Sequence, residues 1–61
     1  MKTIITHENG VVTEHPNLAP WVSTDDRTIA LIDADSTIHP VDAEGNTELT
    51  FDEVFKLEFE P

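Results

Sequence analysis

Sixty-one residues allow one domain at most, and a chain this short buries only about 60% of the surface it exposes when unfolded. The absence of cysteine excludes disulfides, thiolate metal ligands and a cysteine nucleophile. Thirteen acidic residues against Lys2, Arg27 and Lys56 give a net charge of −10, which excludes direct binding to nucleic acid or an anionic membrane, because both need counter-charge.

A small scaffold without disulfides relies on metal, self-association or close packing, so a homo-oligomer or an obligate partner is expected. No run of about 18 apolar residues could span a membrane. The stretch Met1-Lys2-Thr3-Ile4-Ile5 lacks the apolar region of a signal peptide, and a cytoplasmic location is the default expectation.

Lys2 to His15 reads as a hairpin. Asn9-Gly10 favours a two-residue type I′ turn, which needs positive φ at both central positions. The flanks Thr3–His7 and Val11–Glu14 are rich in β-branched residues, which suit a pleated surface. A two-residue turn pairs His7 with Val12, Ile5 with Glu14 and Ile4 with His15. His15 to Trp21 reads as a connection, because Pro16 and Pro20 each remove a backbone donor. Trp21, the only tryptophan, either caps one end of the core or serves as an exposed anchor. Ser23-Thr24-Asp25-Asp26 is a polar turn.

Thr28–Ile32 is a short continuous apolar run, as in a strand buried on both faces. Asp33–Ser36 is a turn. Thr37–Val41 is a return strand, and Pro40 assigns it to an edge or a bulge. Thr3-Ile4 with His15-Pro16, and Thr28-Ile29 with His39-Pro40, echo one another faintly and fit two successive hairpins. Asp42–Asn46 is a further turn, with Gly45 or Asn46 free to take positive φ.

Leu49 and Phe51 alternate with polar residues, which suggests a strand. Thr50-Phe51-Asp52-Glu53 also matches a helix-capping box. The region 50–58 is thus either strand or short helix, and the favoured reading is one helical turn near residues 51–54 followed by a strand over 54–60. In that strand Phe55, Leu57 and Phe59 alternate with Lys56, Glu58 and Glu60. Each aromatic can bury about 150–250 Å², so this strand is expected to carry much of the core. The fold class is all-β or nearly so: an antiparallel meander of about five strands, curled into a small barrel or paired with another copy.

Motifs for chemistry are few. His7, His15 and His39 invite a transition metal, but the two-residue register puts His7 and His15 on opposite faces. Asp33, Asp35, Thr37 and Glu44 follow the spacing of a calcium loop, with Ile38 where glycine is needed and Pro40 breaking it. That leaves a weak divalent-cation binder as a low-ranked reading. No phosphate loop or nucleophile elbow is present, and so short a chain offers little volume for a pocket of about 300 Å³. The expectation is a non-enzyme with no cofactor and no dedicated metal site.

Charge then leads. Alternate residues on a strand lie about 6.6 Å apart, close to the spacing of every second phosphate on a DNA strand. Asp42, Glu44, Glu48, Asp52, Glu58 and Glu60 are the candidates for such an acidic row, with Trp21 as the apolar anchor. The expected partner is a protein with a basic, nucleic-acid-binding surface. In size and charge the chain resembles small acidic inhibitors that block DNA-binding proteins, often made by phages. The likeness is one of composition, with no shared motif. The alternative is a small decoration- or scaffold-like assembly protein that completes its core by self-association.

Overall fold

In a computed structural model covering residues 1–61, the chain forms two antiparallel sheets packed face to face. The strands are β1 (Lys2–His7), β2 (Val12–Pro16), β3 (Ala19–Ser23), β4 (Thr28–Ile32), β5 (Ile38–His39), β6 (Leu49–Thr50) and β7 (Val54–Glu60). The first sheet has the order β2-β1-β7. In the second, β4 pairs with β3 on one side, and on the other with β5 and β6, which sit end to end. There are seven strands rather than about five, and the sheets do not close into a barrel. The first and last strands are neighbours, so the chain is not a simple meander.

The first hairpin forms one residue away from the two-residue register. His7 N–H donates to the Val11 carbonyl at 2.8 Å, and Gly10 N–H donates to the His7 carbonyl at 2.9 Å. Only Gly10 has positive φ (88°) in this turn. The loop is therefore the three-residue kind, a tight turn closed by a left-handed glycine. Asn9 contributes through its side chain, whose Oδ1 accepts the Val11 N–H at 3.0 Å. The resulting pairs are Thr3 with His15, Ile4 with Glu14 and Ile5 with Thr13. A one-residue slip exchanges the faces of a strand, so Thr3, Ile5, Thr13 and His15 face inward together.

The prolines sit at edges. Pro20 lies within β3, an edge strand, which corrects the reading of 15–21 as a pure connection. An edge strand can spare a donor on its open side. Pro40 directly follows β5, which is only two residues long. β4 is central but has two different faces. Ile29 and Leu31 are buried, while Thr28, Ala30 and Ile32 are only half-buried on the other face.

The core lies between the sheets and consists of Ile5, Ile29, Leu31, Val41 and Leu49, with Leu18, Val54 and Leu57 packed against it. The phenylalanines do not fill it. Phe55 is 79% exposed and Phe59 45%. For Phe55 the cause is a bulge: Lys56 pairs with Thr6 and Val54 with His7, so Phe55 is an extra residue on β7. Val54 takes the inward place that strict alternation assigns to Phe55.

The turn before β7 agrees with the capping-box residues. Phe51–Glu53 form one 3-10 turn, and the Glu53 carboxylate accepts the Thr50 N–H and the Thr50 hydroxyl, each at 2.9 Å.

Candidate functional site

The outer face of the second sheet carries a groove of about 380 Å³. Its position follows from register. Trp21 lies opposite Ala30, and Ile38 lies opposite Ile32. Ala30 and Ile32 share the non-core face of β4, so they form a floor between the two larger side chains. Trp21 and Ile38 are each 56% exposed. Ser23, Thr28, Ser36, Asp26 and Glu48 complete the lining. The volume comes from the open face of a sheet and not from the interior, which corrects the expectation that so short a chain offers little room for a pocket.

Trp21 and Glu48 therefore share one site. Asp26 joins them, a residue the charge pattern did not single out. It belongs to the β3–β4 turn, where the Ser23 hydroxyl donates to Asp26 Oδ2 at 3.4 Å and the Asp26 N–H donates to Ser23 Oγ at 3.3 Å. The Ser23-to-Asp26 spacing, a polar side chain folding back onto its own turn, is the signal that could have found it.

The other acidic candidates are elsewhere. Glu58 and Glu60 face outward on the first sheet with Glu14, flanking Lys2 and Ile4. Lys2 Nζ is 2.7 Å from Glu14 and 3.7 Å from Glu60, and Lys56 Nζ is 3.7 Å from Glu58. The contact with Glu14 raises the Lys2 pKa and lowers that of Glu14. Among the candidates only Glu58 and Glu60 realise the two-residue spacing on one strand face. Glu44 and Asp52 are exposed in turns. Asp42 turns into its own loop, accepting the Asn46 side-chain amide at 2.8 Å and the backbone N–H groups of Asn46 and Glu44 at 3.0 and 3.1 Å. The Asn46 amide leads in holding the Asp42 carboxyl below its usual range.

Asp33 repeats this arrangement. Its Oδ1 accepts the N–H groups of Asp35 and Thr37 at 2.9 and 3.0 Å, and its Oδ2 meets His39 Nε2 at 2.7 Å. The His39 contact leads in lowering its pKa. The carboxylate that begins the calcium-like spacing thus faces hydrogen-bond donors, which a cation would have to displace.

All three cations are engaged. Besides the two lysine contacts, the Arg27 guanidinium stands 5.8 Å from the centre of the Phe51 ring, within cation–π range. No basic side chain lines the groove, and its rim carries two carboxylates.

The shifted hairpin register also brings His7 and His15 to one place. Both Nε2 atoms meet the Thr13 hydroxyl, at 3.0 and 2.8 Å. The expectation that these histidines lie on opposite faces is corrected. One hydroxyl can donate to one imidazole and accept from the other, which requires complementary tautomers. Burial, with the nearby His7, holds the His15 pKa below its ordinary value. No cluster of three or more histidine, cysteine, aspartate or glutamate side chains suited to a metal ion is formed, and no helix is long and apolar enough to cross a membrane.

Comparison with known proteins finds no matching family model, no matching curated protein and no matching solved structure, so the reading of this site rests on its geometry.

Proposed function

We propose that this chain is a non-enzymatic protein-binding module. In this reading its acidic surface, anchored by the Trp21 groove, docks on a basic protein surface that normally holds nucleic acid. It would act as a phage-type inhibitor does, by standing in for the nucleic acid, and in the same cytoplasmic compartment as its target. One observation carries the reading: an apolar groove walled by the only tryptophan and rimmed by Asp26 and Glu48, on a chain whose three cations are all occupied.

The groove fits the chemistry of such a partner. A lysine or arginine stem can lie along Ala30 and Ile32 while its charge reaches Glu48 or Asp26. An arginine can also stack on the Trp21 ring. Tryptophan is over-represented among residues whose truncation costs an interface most. The net charge of −10 adds long-range attraction to any basic surface and accelerates encounter.

The test is retention of nucleic-acid-binding proteins by the immobilised chain, with duplex DNA as competitor. The reading predicts that DNA displaces the retained proteins and that Trp21→Ala and Glu48→Lys each abolish retention. Retention unchanged by both substitutions would exclude the groove as the docking site.

A further inference from the structure

The second sheet carries the groove; the first sheet ends in an unpaired strand. β7 pairs only with β1, and its other edge has no neighbour. Of the backbone hydrogen bonds made outside the regular sheets, none involves residues 55–60. Open edges of this length are templates for pairing with another chain.

The residues on this edge are Phe55-Lys56-Leu57-Glu58-Phe59, which read almost alike in both directions about Leu57, with opposite charges in the mirrored places. We propose that the open edge of β7 pairs antiparallel with the β7 edge of a second copy, joining the two three-stranded sheets into one sheet of six. A two-fold axis at Leu57 sets Lys56 opposite the partner's Glu58, twice by symmetry.

Register settles the choice. Moving the axis to Lys56 places lysine against lysine. Moving it to Glu58 keeps Lys56 opposite the partner's Glu60 but places glutamate against glutamate at the axis; like charges directly opposite destabilise a pair. Moving it by half a step joins the apolar face of one sheet to the polar face of the other. Of these, the Leu57 axis alone keeps faces matched and brings no like charges together. The bulge sits at Phe55, so Lys56–Glu60 retain a regular pleat. Phe59, 45% exposed, lies on the pleated part of this edge, and a second copy paired there would cover part of it.

This also answers the thinness of the core. Only six of the 61 residues are buried in one copy, and a small chain without disulfides gains from association. A net charge of −10 on each copy opposes any contact made at random. The β7 edge is where lysine and glutamate alternate so that a second copy is met by opposite charge. The inference does not rest on the docking reading, and the groove stays open in the dimer.

The test is sedimentation velocity on the intact chain from micromolar to millimolar concentration. The expected result is a monomer–dimer equilibrium. Lys56→Glu and Glu58→Lys, each creating two like-charge contacts, should weaken it about tenfold or more, and the combined charge swap should restore it to within about threefold. A chain that stays monomeric throughout, or a dimer indifferent to both single reversals, overturns the proposal. Hydrogen exchange on the unaltered chain is independent of any variant's folding. Outward-pointing amides of β7 should gain protection as concentration rises, and constant protection across that range likewise overturns it.

Discussion

Thr3 is the one buried polar side chain, and its hydroxyl donates to the Leu18 carbonyl at 2.8 Å. It ties the first sheet to the corner that leads into β3. Thr3→Val keeps the shape and removes the donor, leaving a carbonyl without its partner. The expected cost is about 1–2 kcal/mol by urea unfolding, with the fold retained. Nothing in the sequence separated Thr3 from the other threonines, because its role depends on a contact fifteen residues away.

His15 gives a second effect at this scale. Its native pKa lies below the unfolded value, so the unfolded chain binds more protons in that window. The associated stability is complete above the unfolded value of about 6.5 and is lost as pH falls towards the lowered native value. Asp33, Asp42 and Glu53 also have lowered pKa values, and their contribution is present above about 4 and lost below it. The two windows are distinct. Urea midpoints between pH ~7.5 and ~5 should therefore decline, and His15→Gln should flatten that decline.

At the scale of elements, the loops at 33–37 and 42–46 are one device used twice. In each, an aspartate accepts the N–H groups two and four residues on, and the fourth residue has positive φ: Ser36 at 67° and Gly45 at 85°. Asp-Ala-Asp-Ser-Thr and Asp-Ala-Glu-Gly-Asn carry that pattern in the sequence, although the acidic residues first suggest charge or calcium. A left-handed conformation costs a non-glycine residue roughly 1–2 kcal/mol, and glycine's greater unfolded freedom offsets part of any relief. Ser36→Gly should raise stability by up to about 1 kcal/mol in thermal melts. A loss of stability would mean that the serine side chain supports the loop.

The elements themselves were largely legible. The 3-10 turn at 51–53 and the strand from Val54 follow from the capping-box residues and the alternation after them. The hairpin was legible in position but not in register, because Asn9-Gly10 serves either a two- or a three-residue loop. That single residue decides whether His7 and His15 meet. The missing signal at β7 was the bulge at Phe55, which shows only in the pairing of Lys56 with Thr6 and Val54 with His7. An NMR contact between Thr3 and His15 side chains, with none between Ile4 and His15, would check the register directly.

For the whole molecule, the core is not where the aromatic residues are. Leu31 is fully buried at the centre of the five-residue core. Leu31→Ala should cost about 2–5 kcal/mol, a large share of the roughly 5–15 kcal/mol that holds a typical domain folded. Phe55→Ala, measured dilute to avoid association, should change the melting temperature little. Equal losses would restore the aromatic strand as the centre of the core. The charge was legible from composition, whereas its division was not. The two sheets separate a lysine-matched acidic face, with Glu14, Glu58 and Glu60, from the groove with Asp26 and Glu48. That division depends on which strands become neighbours.

Trp21 makes the central claim directly measurable, because the only tryptophan is a wall of the groove and its fluorescence reports occupancy. The decisive measurement is a fluorescence titration with an isolated basic nucleic-acid-binding domain that lacks tryptophan, at about 0.1 M and about 0.5 M salt, where screening tightens from roughly 10 Å to under 5 Å. Docking at the groove predicts a saturable blue shift at low salt that fades at high salt and is reversed by added duplex DNA. Binding of that domain with an unchanged Trp21 spectrum would contradict it.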